Sequence, residues 1–72
     1  MKKLKKIKIK INGKIKTIID KLTLYELIND LKIPLKKVAI EFNKEIVDKK
    51  KLSKIILKKN DLIEIVHFIG GG

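Results

Sequence analysis

Ile7, Ile9 and Ile11 alternate with Lys6, Lys8 and Lys10, and Asn12-Gly13 follows at once. An apolar residue at every second position fits a strand with one buried face, with the lysines on the solvent side. Asn-Gly is the strongest short hairpin signal, because a type I′ turn needs positive φ at both central residues. The chain therefore opens with a hairpin, its second strand running over about Lys14–Ile19. A strict two-residue turn pairs Ile11 with Lys14 and Ile7 with Ile18, and turns Ile15 away from the core. A bulge at the turn would reverse that assignment, and the sequence leaves both open.

The period then changes. Leu24, Leu27, Ile28 and Leu31 lie at i, i+3, i+4 and i+7, one apolar stripe on a helix. Thr23-Leu24-Tyr25-Glu26 fits a capping box at its start, and Pro34, which restricts Ile33, is expected to end it. Val38, Ile40 and Phe42 alternate with Ala39 and Glu41 as a third strand. Asn43-Lys44 is a turn into a short fourth strand around Glu45–Val47. Asp48–Ser53 is polar except for Leu52 and reads as a helical turn or loop. Lys59-Asn60-Asp61 is a turn in which Asn60 can take the left-handed region. Leu62–Ile69 is the last strand.

One helix with one apolar stripe needs one sheet face, so the order describes an α+β domain. The expected architecture is the β-grasp, or ubiquitin-like, fold: a mixed sheet of about five strands with one main helix on one face. The first and last strands are expected at its centre. Residues 1–69 form this domain and residues 70–72 a flexible glycine tail. The expected core is Ile7, Ile9, Ile11, Leu24, Leu27, Ile28, Leu31, Val38, Ile40, Phe42, Ile63 and Ile65. Glu64 is expected on the outward face with its neighbours Lys8 and Glu41. Val66 and Phe68 then form an exposed apolar patch beside the tail, a candidate docking surface.

Composition narrows the chemistry. The chain has 72 residues and no cysteine, which excludes disulfides, thiol nucleophiles and cysteine-bound metal. A lone His67 makes neither a metal site nor a triad, and reads as a sheet-surface residue. No apolar run reaches the ~20 residues of a membrane span. Lysine recurs through Lys16, so the basic start lacks the apolar segment of a signal peptide, and a cytoplasmic protein is expected. The formal charge is +11, which raises the case for nucleic acid. Every basic residue is lysine, however, and arginine is the usual bidentate reader of guanine and phosphate. Tyr25, Phe42 and Phe68 do not make a stacking platform. An AT-rich genome accounts equally well for the Lys, Ile and Asn content, so nucleic acid is disfavoured as a partner.

Gly70, Gly71 and Gly72 follow directly on the last apolar run. Such a stalk has no Cβ, can enter a narrow enzyme channel, and presents a carboxylate at its end. A frayed terminus is the plain alternative.

"INGK" at Ile11–Lys14, "TLYELINDL" at Thr23–Leu31, "VAIEFNKEIV" at Val38–Val47 and above all "NDLIEIVHFIGGG" at Asn60–Gly72 resemble the ThiS-type sulfur carriers of thiamine biosynthesis. The resemblance covers most of the chain. It implies a carrier rather than an enzyme, with no catalytic residue, no metal and no permanently bound cofactor. It implies that an adenylating enzyme of the ubiquitin-activating type uses ATP to activate the terminal carboxylate. A sulfur donor such as a cysteine desulfurase then converts it to a thiocarboxylate, which a thiazole synthase consumes. On this chain Gly72 bears the sulfur, Gly70 and Gly71 are the stalk, and Val66 and Phe68 are assigned to partner docking. Asn60 replaces the family's usual glycine, and the N-terminal lysine run is longer than usual. The rival carriers are the small subunit of molybdopterin synthase, which usually has proline near the tail, and a ubiquitin-like protein modifier. A lysine-rich RNA-binding module is the rival of another class and would not need the glycine terminus.

Overall fold

The computed structural model describes residues 5–68. Strands β1 (Lys6–Ile11) and β2 (Lys14–Ile19) form the opening hairpin. Asn12 and Gly13 take φ values of 49° and 81°, the left-handed pair that a two-residue type I′ turn requires. The register pairs Ile11 with Lys14 and Ile7 with Ile18. The strand pairing is therefore unbulged, and Ile15 is 67% exposed.

Helix α1 (Leu24–Asp30) starts on the expected capping box. The Glu26 amide donates to the Thr23 hydroxyl at 3.1 Å, and the Thr23 amide donates to the Glu26 carboxylate at 3.0 Å. Leu24, Leu27 and Ile28 are buried. The helix ends earlier than the position of Pro34 suggests. The Lys32 amide donates to the Asn29 carbonyl and the Ile33 amide to the Ile28 carbonyl, while Lys32 has a φ of 57°. This is a Schellman stop, with lysine where glycine is usual. Pro34 instead precedes a 3₁₀ turn, Leu35–Lys37.

Strand β3 (Val38–Phe42) turns through Asn43 and Lys44, at φ 50° and 71°, into the two-residue β4 (Glu45–Ile46). Asp48 then caps a second 3₁₀ segment, Lys49–Lys54, its carboxylate accepting from the Lys50 amide at 2.9 Å. The chain next runs beside the start of α1. The Leu24 amide donates to the Ile55 carbonyl and the Leu57 amide to the Leu22 carbonyl, both at 2.8 Å. Asn60 takes φ 71° before β5 (Leu62–His67).

The strand order is β2-β1-β5-β3-β4. Strand β1 runs parallel to β5, and the other neighbouring pairs are antiparallel. The last strand lies at the centre, with the first beside it. The sheet is mixed and five-stranded, with one main helix, as expected. Of the expected core, Ile9, Leu24, Leu27, Ile28, Val38, Ile40, Ile63 and Ile65 are buried, while Ile7, Ile11, Leu31 and Phe42 are half-buried at its margin. Ile18, Leu52 and Leu57 are core residues outside the expected set. Among the described residues, no helix is long and apolar enough to cross a membrane.

Candidate functional site

The site is built around β5, the strand that leads toward the glycines. Gly70, Gly71 and Gly72, together with Ile69, lie outside the described residues, so the assigned sulfur-bearing position and its stalk do too. Residues 62–68 fix how the chain approaches them.

Two turn asparagines clamp β5. The Asn12 carboxamide pairs with the peptide of Ile65: Oδ1 accepts from the Ile65 amide at 2.7 Å and Nδ2 donates to its carbonyl at 3.3 Å. Asn12 thereby extends the β1–β5 pairing beyond the last residue of β1. On the opposite side, Asn43 Oδ1 accepts from the Leu62 amide at 2.9 Å, and the Asn43 amide donates to the Leu62 carbonyl at 2.7 Å. Asn43 Nδ2 also donates to the Asp61 carboxylate at 3.2 Å. Asp61 in turn accepts from the Lys58 amide at 2.7 Å, which closes the turn before β5. Each asparagine thus serves its own left-handed turn and the strand next to it.

The side chains of β5 alternate as the sequence implies. Ile63 and Ile65 are buried under α1, and Glu64 points outward. Val66 is 52% exposed and Phe68 is 54% exposed. Val66 stands opposite Ala39 on β3, and the Phe68 amide donates to the Lys37 carbonyl at 2.9 Å. The two expected docking residues are therefore exposed, Val66 near the end of β5 and Phe68 just beyond it. The Lys49 ammonium sits 5.6 Å from the centre of the Phe68 ring and donates to the Leu35 carbonyl. A cation over an aromatic face is attracted by the ring quadrupole, so Lys49 ties the 3₁₀ segment to the strand end.

The expected trio on the outward face is corrected in one member. Glu41 and Glu64 are direct partners across β3 and β5. Lys8 is not beside them: the parallel register sets Lys10 level with Leu62, and the Asn60 amide bonds the Lys8 carbonyl at 2.8 Å. Lys8 therefore lies two residues farther than Lys10 from Glu64. Strand order alone identified the neighbouring strands, but a parallel register has no turn to fix it. His67 pairs with Val38 at the end of β5 and is exposed. Among the described residues, no group of His, Cys, Asp or Glu could hold a metal ion.

Residues 9–72 match the model of the ThiS family. A protein of Bacillus subtilis (strain 168) named sulfur carrier protein ThiS is 40% identical over 65 residues, covering 89% of this chain and 98% of that protein. A thiazole synthase of Paramagnetospirillum magneticum is 38% identical over 66 residues; the match takes in 92% of this chain but spans only 20% of that protein. The crystal structure of the thiamine biosynthesis protein ThiS from Geobacter metallireducens superposes with a TM-score of 0.80 at 29% identity, covering 92% of this chain and all of that one. Sequence and structure agree on one conclusion: the chain belongs to the ThiS family.

Proposed function

We propose that this chain is a sulfur carrier of thiamine biosynthesis and that Gly72 is the residue that carries the sulfur. The observation that supports this most is the family match, which runs through residue 72. The chain acts as a substrate of its partner enzymes and catalyses nothing itself.

The chemistry follows from the weakness of a carboxylate as an acyl donor. An oxygen of the Gly72 carboxylate attacks the α-phosphorus of ATP and pyrophosphate leaves, so the acyl carbon gains AMP as a good leaving group. A persulfide sulfur of the donor then attacks that carbon and AMP departs, leaving an acyl disulfide. A thiol reductant cleaves its S–S bond, becoming a disulfide with the donor's sulfur, and releases the thiocarboxylate, which hydrosulfide would form directly. ATP belongs to the adenylating partner, an enzyme of the ubiquitin-activating type. The sulfur comes from a donor such as a cysteine desulfurase. A thiazole synthase is the acceptor. Its assignment is supported by a relative named thiazole synthase, part of whose length matches almost all of this chain.

Gly70 and Gly71 act as the stalk, since chain without Cβ atoms passes a narrow channel most easily. Val66 and Phe68 dock the adenylating enzyme close to the root of the tail, where an anchor can hold the carboxylate near the α-phosphate. The lysine excess speeds encounter with an acidic partner.

The test pairs two variants. A chain extended by one residue after Gly72 should keep its fold and lose sulfur loading. Phe68→Ala should weaken binding to the adenylating enzyme, and raising the salt concentration should slow association more than it speeds dissociation. Normal loading of the extended chain would contradict the role of Gly72. Unchanged affinity of a folded Phe68→Ala chain would move the docking surface elsewhere.

A further inference from the structure

The two edges of the sheet are unlike. Strand β4 has two residues, and the chain continues from it through Val47, whose amide donates to the Ile40 carbonyl at 2.9 Å. Strand β2 has six residues and, among the described residues, pairs only with β1. The Asp20 amide donates to the Lys5 carbonyl at 2.8 Å, which makes Lys5 and Asp20 a hydrogen-bonded pair. Antiparallel pairs alternate between bonded and non-bonded. Lys14, Lys16 and Ile18 therefore bond to β1, and the amides of Ile15, Thr17 and Ile19 face away from the sheet. The Ile19 carbonyl accepts from the Leu22 amide at 3.3 Å. Among the described residues, the carbonyls of Ile15 and Thr17 are open.

The side chains along this edge divide by face. Ile15 and Ile19 are 67% and 46% exposed on the outward face. Lys14 and Lys16 stand on the helix face, opposite Ile11 and Ile9. A groove of about 380 Å³ between β2 and α1 lies beside Lys16, with Leu27 and Leu31 on its helix side, Lys6 and Lys16 as its two lysines, and Asp30 its one acid.

We propose that β2 accepts an extended acidic segment of a protein partner as a further strand of the sheet. Strand addition of this kind takes affinity from main-chain bonds and specificity from alternate side chains. The incoming strand needs apolar residues beside Ile15 and Ile19, and acids beside Lys14 and Lys16. That requirement is an alternation of apolar and acidic residues. Charge selects this occupant. A second copy of the chain carries the same formal charge of +11, which opposes pairing of two such edges. Edge lysines discourage such self-pairing and favour an acidic visitor. A nucleic acid would use the lysines but neither the open amides nor the exposed isoleucines. Strand β1 separates β2 from β5, so an occupied edge leaves the tail-bearing strand accessible.

The test is a titration of the isotope-labelled full chain with a short synthetic peptide alternating valine with glutamate, followed by amide chemical shifts and hydrogen exchange. The amides of Ile15 and Thr17 should shift and exchange more slowly, and added salt should weaken the effect. Ile15→Glu, at an exposed position that leaves the fold intact, should weaken binding at least about tenfold. A peptide alternating valine with lysine should not bind. Unchanged exchange at Ile15 and Thr17 would overturn the proposal, as would shifts centred on Val66 and Phe68. Equal binding of the lysine peptide would overturn the acidic specificity. Concentration-dependent protection of the same amides without peptide would assign the edge to a second copy, and protection by an oligonucleotide would assign it to nucleic acid.

Discussion

Asn12 has two roles at one position. Its φ of 49° makes the turn, and its carboxamide holds the peptide of Ile65. The first role is legible in Asn-Gly; the second is not, because the partner lies 53 residues away. Asn12→Gly separates them, since glycine keeps the turn and removes the carboxamide. It should destabilise the fold by roughly 1–3 kcal/mol, the cost of leaving the Ile65 peptide without its partners. Asn43→Gly should cost less, because its bonds are exposed to water. Urea midpoints at unchanged slope measure both, and an unmoved midpoint for Asn12→Gly would mean that the clamp contributes nothing. Glu26 supplies a pH-dependent counterpart. The bond from the Thr23 amide, then that from the Thr23 hydroxyl, holds its carboxyl below the ordinary glutamate range. A lowered folded value means that its contribution is present above the unfolded pKa and is lost as pH falls through the folded one. Glu26→Gln should therefore flatten part of the fall in stability under acid. An identical acid profile in the variant would contradict this role.

At the scale of elements, the strands and the helix were readable wherever a period was sustained. The alternation in β1, β3 and β5 and the stripe Leu24-Leu27-Ile28 place residues that are buried or, for Ile7, Ile11 and Phe42, half-buried at the margin of the core. Leu52 stands alone in a polar stretch and Leu57 ends the three-residue run Ile55-Ile56-Leu57; neither segment sustains a period, so both were missed, and only tertiary packing buries them. Leu27→Ala should cost roughly 2–5 kcal/mol, and Leu52→Ala a similar amount. A negligible shift in the denaturation midpoint of Leu52→Ala would mean that the 3₁₀ segment is not part of the cooperative core. The outward face has a local conflict, with Glu41 directly opposite Glu64. Like charges opposite one another are destabilising, so Glu64→Lys should stabilise the domain by roughly 0.2–1 kcal/mol. A loss of stability would mean that these side chains find other partners. The outward position of Val66 and Phe68 was readable from the phase of β5. The clamps and the Lys49 contact that hold the strand end were not, since each depends on residues far apart in sequence.

At the scale of the whole molecule, the fold presents one end of its central strand. Strand β5 is paired on both sides, by β1 and β3, and its two asparagine clamps come from different hairpins. A strand held this way gives the following residues a firm root, and positioning a reactive group is where a scaffold helps another enzyme's chemistry most. The carrier reading assigns that reactive group to Gly72 and the anchor to Val66 and Phe68. The tail itself was legible from sequence as three glycines, while its chemistry came from the family resemblance. The most direct test is the intact mass of the full chain after incubation with an adenylating enzyme of the ubiquitin-activating type, ATP and a sulfur source. The carrier account predicts a gain equal to the replacement of one oxygen by sulfur, dependent on ATP and located by fragmentation at Gly72. An unchanged mass with an enzyme that loads another carrier of this family, or sulfur found anywhere but Gly72, would contradict it.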